Sequence, residues 1–366
     1  MEEWKNPYNP FNSMKVLVWS EHLEGMMKQD FLPPVQVDTD PCNRCNYDCI
    51  WCNAFLNMKK SDAIMTEEHL LKLADFYAEW GVKSTCISGG GEPLLNKGIK
   101  KFLLRLKENG VDAGIITNGY FLNEELDEVI AETCRWIGIS MDAGTSETYM
   151  KIKGITNEKA FRKVISNIEK LILTIKDKKD KSNCDVAYKY LLHPLNSQEI
   201  FIAAQLAKSI GIKDFHLRPV GWDNIMKTLR KDPIDFTPLL EDIDKQTEES
   251  MKLEDDNFHF YGIRHKFKPN FQRKVNFSRC WASPLVLTFG ADGNCHLCFD
   301  IRGRQDLILC SHSPDPREVL KHWNTPRHKE ILKNIKVENC PRCTFGPYNE
   351  IVEKVFIKDT MCRYFP

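Results

Sequence analysis

Between residues 35 and 220 the chain alternates short apolar runs with longer stretches whose apolar residues recur every three or four positions. Runs of the first kind predict strands, and stretches of the second kind predict helices. Val35–Asp38 reads as the first strand. Thr66–Trp80 follows, apolar at positions 70, 71, 73, 74, 76 and 77, with Thr66 placed to cap a helix and Gly81 to stop it. Next come strand Lys83–Ser88, helix Gly98–Asn109 ending at Gly110, strand Ala113–Thr117, helix Glu124–Glu132, strand Trp136–Met141 and the long helix Lys159–Lys176. Asp185–Leu192, Ser197–Ile210 and Asp214–Leu217 close the series as strand, helix, strand.

Repeated strand–helix units predict an α/β fold with a parallel sheet. Six units are too few to close an eight-stranded barrel, so the expected architecture is a partial (β/α)6 TIM-like barrel. Ligands should bind at the carboxyl ends of its strands. Residues 1–34 are then an N-terminal extension and 35–220 the barrel. In 221–275 the periodicity weakens and charge rises, which predicts a helical connector. Residues 276–366 read as a small C-terminal module. It opens on a hairpin pattern: Leu285–Phe289, the turn Ala291-Asp292-Gly293-Asn294, then Cys295–Phe299. The Lys/Asp-rich stretch Lys176–Asn183 reads as a solvated loop.

Composition narrows the function classes. Lys+Arg and Asp+Glu are 51 each in 366 residues, so no global field favours nucleic acid or an anionic membrane. No run approaches the roughly 18 apolar residues of a membrane helix, and Met1–Pro10 has no apolar signal core. A cytoplasmic protein is expected. There, 14 cysteines read as metal ligands or catalytic groups, because disulfides are disfavoured. Cys42, Cys45, Cys49 and Cys52 sit together, and Cys280, Cys295, Cys298, Cys310, Cys340, Cys343 and Cys362 crowd the last quarter. Cys86, Cys134 and Cys184 stand alone at predicted strands and read as small core residues.

Cys45, Cys49 and Cys52 are spaced C-x3-C-x2-C on one loop after the first strand. Three thiolates hold three irons of a cubane and leave the fourth open. A zinc site wants a fourth protein ligand, which Cys42 could supply, so a zinc-stabilised binding module is the non-enzyme alternative. The C-x3-C-x2-C spacing, with Trp51 just before the last cysteine, resembles the radical SAM superfamily. That resemblance implies a 4Fe–4S cluster on Cys45, Cys49 and Cys52 whose open iron binds S-adenosyl-L-methionine. It also implies reductive cleavage to a 5′-deoxyadenosyl radical that abstracts a substrate hydrogen, and hence oxygen sensitivity. The cofactor carries the chemistry and the protein positions it.

The resemblance covers about residues 35–220 and assigns further cofactor contacts. Trp51 would pack near the adenine. Gly89-Gly90-Gly91-Glu92-Pro93, 37 residues after Cys52 and one strand later, would bind the methionyl amino group; glycines there allow close backbone approach to a ligand. Ser140 and Asp142, at the end of the fourth strand, would contact ribose and carboxylate. Lys153, in Lys151-Ile152-Lys153-Gly154, would reach the methionine carboxylate as a point charge where many relatives carry Arg; the alternative is a solvated helix-end charge. Asn118, after the third strand, would face the cofactor or only start a turn.

Cys280-x12-Gly293-x4-Cys298 followed by Cys340-Pro341-Arg342-Cys343 is similar to the twitch and SPASM extensions of radical SAM enzymes, which carry auxiliary 4Fe–4S clusters. No cysteine lies in Thr344–Asn349, a departure from the full SPASM pattern. One auxiliary cluster on Cys280, Cys298, Cys340 and Cys343 is therefore expected, with two clusters or a structural zinc as alternatives. Cys42, Cys295, Cys310 and Cys362 have no assigned role. By analogy with amino-sugar and cyclitol dehydrogenases, the expected reaction is oxidation of a polar small molecule, such as a sugar, cyclitol or nucleotide-linked group. An external donor such as flavodoxin or ferredoxin would supply electrons. Peptide modification (crosslink, thioether or epimerisation) is the second enzyme reading. It is weakened because only about 34 residues precede the first strand, too few for a leader-recognition domain. Arg218, where βα loops converge, is the candidate catalytic residue. His193, His216 and Asp223 are weaker substrate candidates, and Tyr348 and the Tyr364-Phe365-Pro366 tail would cap the barrel mouth or pack the module.

Overall fold

The computed structural model describes residue 4 and residues 12–52, 61–178, 182–220, 234–267, 275–340 and 343–358. Helix α1 (Ser20–Lys28) precedes the first strand, β1 (Gln36–Thr39). Then α2 (Glu67–Trp80), β2 (Ser84–Ile87), α3 (Ile99–Glu108), β3 (Asp112–Thr117), α4 (Glu124–Thr133) and β4 (Cys134–Ser140) alternate. Two helices follow β4, the short α5 (Ser146–Lys153) and α6 (Ala160–Asp177), before β5 (Asp185–Leu192), α7 (Ile200–Ser209) and β6 (Asp214–Pro219). Beyond them lie α8 (Leu240–Met251), β7 (His259–Gly262), β8 (Val286–Phe289), β9 (Asn294–His296), β10 (Ile308–Ser311), α9 (Pro326–Asn334) and α10 (Gly346–Ile351).

The predicted caps form. Thr66 Oγ1 accepts from His69 N, and Gly81 ends α2 at φ 90°, a left-handed turn that suits glycine.

The strands form one ten-stranded sheet in the order β10-β9-β8-β1-β2-β3-β4-β5-β6-β7. β1 to β7 run parallel, in the partial TIM-like barrel that the alternation predicts. Two expectations need correction. The connector is not purely helical: His259–Gly262 in it pairs parallel with β6 as a seventh barrel strand. Nor does the sheet end where the C-terminal module begins. β8 runs parallel to β1, with Asp38 opposite Thr288, and the β9–β10 ladder extends the sheet from there. β7 lies in a stretch of weak periodicity and so does not stand out in sequence, and a pairing between residues about 250 apart leaves no local mark.

Outward faces of the strands build the core against the helices. Tyr188 stacks on Phe215 with ring centroids 5.3 Å apart, and Phe215 on Phe260 at 5.1 Å. Each such pair adds about 1 kcal/mol beyond its buried area. Thr39 Oγ1 lies 2.9 Å from Tyr77 Oη and 2.8 Å from Thr85 Oγ1, so the polar atoms of this face are satisfied. The N-terminal extension packs on the C-terminal module: Trp19 stacks on Tyr348 at 6.2 Å. Tyr348 therefore packs the module. The Tyr364–Pro366 tail, Cys362 and Asp223 lie outside the described residues. No helix among the described residues is long and apolar enough to cross a membrane.

Candidate active site

The loop after β1 carries Cys45, Cys49 and Cys52 and is pinned from three directions. Asn43 N donates to Ala63 O, and Cys42, buried, forms a bridge opposite Ile64. Gly91 N donates to Cys42 O and Glu92 N to Arg44 O. From the far side, Asp48 N and Ile50 N donate to Lys153 O and Ile152 O at the end of α5. A Cβ on Gly91 would stand 2.0 Å from Arg44 O. The glycine segment thus approaches the backbone of the cysteine loop. Gly89 is likewise close to Cys42 O, while Gly90 is buried.

Glu92 makes protein contacts of its own. Its carboxylate is buried and accepts from Leu94 N (3.0 Å), Thr117 Oγ1 (2.5 Å) and Asn118 N (2.8 Å). Burial raises its pKa against these donors. Glu92 braces the ends of β2 and β3, and Pro93, buried beside it, starts a short turn. Asn118 Oδ1 accepts from Tyr120 N, making the turn, and Asn118 Nδ2 donates to Asn46 Oδ1 in the cysteine loop at 2.7 Å.

Asp142 and Lys153 meet in an ion pair of 2.5 Å, each side chain 1% exposed. The solvated alternative for Lys153 is therefore wrong, because α5 folds back under the cysteine loop and carries the lysine inward. Asp142 adopts φ 62°, a left-handed conformation uncommon outside glycine, and its Oδ1 accepts from Leu191 N. Burial pushes the Cys49 thiol up to about 12 against the pull of Lys153, and Cys49 also feels Cys45 and Cys52. The three predicted thiols are thus neighbours beside one buried cation. Trp51 is buried with its ring 5.8 Å from that of His193. His193 caps the turn after β5 by accepting from Leu195 N, the strand-terminating role.

Inward faces of the strands make a polar lumen. Ser140, Lys189, His216 and Arg218 belong to this face. Ser140 stands opposite Lys189 in register, and Lys189 opposite His216. Two glycines give these side chains room: a Cβ on Gly114 would strike the Trp136 ring at 2.2 Å, and one on Gly138 the Lys189 Cε at 2.4 Å. Lys189 Nζ lies 2.6 Å from His216 Nδ1 and 5.5 Å from the Trp136 ring centroid. Burial, then Arg218, pulls the Lys189 pKa down to about 7, and burial holds His216 well below its ordinary value. Cys86 is not a core residue. It is half-buried, sits between Asp38 and Gly114 in register, and feels the charges of Asp38, Arg302 and Lys189.

The second cysteine group also converges. Cys280 feels Cys340, Cys343 feels Cys280 and Cys340, and Cys298 feels Cys280. Burial lifts the Cys280 thiol to about 11 and Cys343 to about 12. Asn349 and Glu353, one turn apart, hold the Cys280 segment. Asn349 Oδ1 accepts from Trp281 N and Ala282 N, and Glu353 Oε2 accepts from Ser278 N and Trp281 Nε1. Asn349 Nδ2 donates to Cys343 Sγ at 3.5 Å. Cys295 and Cys310 stand apart, opposite each other on β9 and β10.

Sequence reasoning missed Lys189, Arg302, Glu199, Asn349 and Glu353. Glu199 accepts from Gly144 N, Thr145 N and two threonine hydroxyls, capping α5 from a distant turn. A signal existed for Lys189, a lone cation in an alternating strand, and for Asn349/Glu353 at i, i+4.

Among the described residues no three His, Cys, Asp or Glu side chains converge on a single-ion site. A cubane asks for something different, one thiolate for each iron around a larger body. Both cysteine groups fit that donor chemistry.

The Radical SAM superfamily profile matches residues 40–180, the stretch that carries this geometry. Residues 40–180 are a radical SAM domain. Radical SAM enzymes use a 4Fe–4S cluster and S-adenosylmethionine. The chain is 27% identical over 181 residues to a probable GTP 3′,8-cyclase of Saccharolobus islandicus (strain M.14.25 / Kamchatka #1), covering 48% of this chain and 55% of that protein. A probable GTP 3′,8-cyclase of Methanocaldococcus jannaschii is 26% identical over 170 residues, 46% of this chain and 53% of that one. The chain thus spans about half the length of the curated relatives it matches. Among solved structures, Streptococcus suis SuiB bound to S-adenosylmethionine superposes with a TM-score of 0.63 at 16% identity, over 95% of this chain and 81% of that one. Histidine-tagged anSMEcpe with bound AdoMet gives 0.56 at 17%, over 87% and 85%. At such identities the likeness is one of fold.

Proposed function

We propose that the protein oxidises a polar small molecule held in the barrel lumen by Lys189, His216 and Arg218. In this reading Cys45, Cys49 and Cys52 hold the S-adenosylmethionine cluster, and Cys280, Cys298, Cys340 and Cys343 hold one auxiliary 4Fe–4S cluster. The bound cluster and S-adenosylmethionine together supply a 5′-deoxyadenosyl radical that abstracts a substrate hydrogen. The chain's own residues do the positioning. Asp142 and Lys153 form a buried charge pair that faces the cofactor side of the cysteine loop. In this reading Trp51, Gly90, Asn118 and Ser140 contact the cofactor. Arg218 and Lys189 attract an anionic or electron-rich group of the substrate.

The observation that carries this reading is Arg302. It lies four residues after Cys298 and reaches the barrel mouth at Asp40 and Ser88. This link between the loop after Cys298 and the barrel mouth supports a reaction shared between two clusters. The named activity of the cyclase relatives supports nucleoside triphosphates as one candidate class of polar substrate. The test is anoxic reconstitution and turnover with nucleotides, amino sugars, cyclitols and peptides bearing deuterium, scored by label in 5′-deoxyadenosine. Transfer from one of these supports the reading; transfer only from peptides overturns it.

Peptide modification is the second reading. It is favoured by the fold likeness to SuiB, which has been solved bound to the precursor peptide SuiA, at a TM-score of 0.63 and 17% identity.

A further inference from the structure

We propose that Cys295 and Cys310 are a reversible dithiol–disulfide pair, a modification site separate from both cysteine groups, with Cys310 as the sulfur open to exchange. β9 and β10 run antiparallel, with Cys310 opposite Cys295 after a register shift between Ile308 and Cys310. Directly opposed residues of an antiparallel pair have Cα atoms about 4.5–5.5 Å apart. A disulfide spans about 4.4–6.8 Å between Cα atoms, so the spacing of an opposed pair accommodates one. Both thiols are free, and each lies within the other's electrostatic reach.

The two sulfurs differ in access. Cys295 is fully buried, whereas Cys310 is half-buried on β10, the edge strand of the sheet. Cys310 also lines an open cavity of about 380 Å³ with Asn294, Gln305, Ser311, His322 and Arg327. Ile308 and Leu309 complete a mostly polar lining that carries one guanidinium, so it suits a small, carboxylate-bearing disulfide of the glutathione type. In the exchange the Cys310 thiolate attacks the oxidant's S–S bond. One thiol leaves, and a mixed disulfide remains on Cys310. Cys295, giving up its proton, attacks the Cys310 sulfur and expels the second thiol. The pair loses two electrons and two protons, and one glutathione disulfide becomes two glutathiones.

The position of the bridge gives it a consequence. Residues 296–309 lie between the two cysteines and include Cys298 and Arg302. A Cys295–Cys310 bond closes the base of this segment, while Asp300 anchors its middle through Thr344 N at 2.8 Å and Thr344 Oγ1 at 2.9 Å.

The test uses the anoxic holoprotein poised with mixtures of reduced and oxidised glutathione, acid-quenched, alkylated and peptide-mapped. The expected result is a Cys295–Cys310 linked peptide at oxidising poise that disappears on reduction. In Cys295→Ala a glutathione adduct accumulates on Cys310, and in Cys310→Ser neither linkage nor adduct forms. Melting under reducing conditions identifies a variant that has not folded; the wild-type map then decides alone. Recovery of both residues as alkylated thiols in the wild type at full oxidising poise overturns the proposal. So does linkage of Cys310 to a cysteine other than Cys295.

Discussion

Arg302 Nε lies 2.6 Å from Asp40 Oδ2, and this ion pair, nearly closed to solvent, joins the loop after Cys298 to the end of β1. Asp40 stands five residues before Cys45, and Arg302 also donates to Ser88 Oγ, next to the glycine segment. Burial raises the Asp40 carboxyl and Arg302 opposes that rise. The pair therefore holds a charge inside the protein that neither partner could keep alone.

Removing one partner tests this. Arg302→Met leaves Asp40 buried without its counter-charge, which costs about 3–5 kcal/mol. The loss is read as a fall in the urea midpoint. Adding Asp40→Asn to Arg302→Met should recover part of it. A double variant no more stable than the single one contradicts the pairing.

Lys153→Met has the same physical basis with a different readout. It strips the counter-charge from Asp142, both side chains being 1% exposed, and should destabilise the protein by about 3–5 kcal/mol. Under the proposed cofactor geometry, S-adenosylmethionine affinity measured by anoxic equilibrium dialysis also falls, by tenfold or more for about 1.4 kcal/mol lost. Unchanged affinity would separate Lys153 from the cofactor.

Gly91→Ala forces a methyl group into Arg44 O, 2.0 Å away, and so displaces the cysteine loop. Wild type should retain about eight irons per chain from two cubanes after reconstitution, and the variant about four. Iron and sulfide analysis after desalting decides. Cys298→Ala should produce the same halving by emptying the other group.

Stability should fall in acid through His312. Its Nε2 donates to Gly290 O, its Nδ1 lies 2.8 Å from His69 Nε2, and burial lowers its pKa from 6.5 to about 4. Below pH 6.5 the unfolded chain binds a proton that the folded chain refuses. Folding is therefore fully supported above pH 6.5 and weakens as pH falls toward 4, by about 3 kcal/mol from this group. Melting curves between pH 7 and 4 measure it, and His312→Gln should flatten the dependence.

The barrel was legible because its signals are local. Thr66 and Gly81 bound α2 as their chemistry dictates, and the alternation of apolar runs with helical stretches placed β1 to β6. The C-x3-C-x2-C spacing and the segment from Gly89 to Pro93 were legible for the same reason: a loop that wraps a cluster writes its ligands close together. Helix α5 was missed, since eight residues between two loops offer barely two turns of period. β7 was missed because four residues in a charged stretch have no pattern to detect.

The sequence by itself determined which chemistry is present: cysteines grouped at cluster spacing, in a chain of parallel βα units. Only the tertiary structure decided which charges share a buried space. It drew Lys153 under the cysteine loop, turned Glu92 into a brace, set Lys189 beside His216 and carried Arg302 across to Asp40. The physical reason is distance along the chain. A cap or a metal loop is settled within a few residues, whereas a buried ion pair between positions 40 and 302 exists only once β8 has docked on β1.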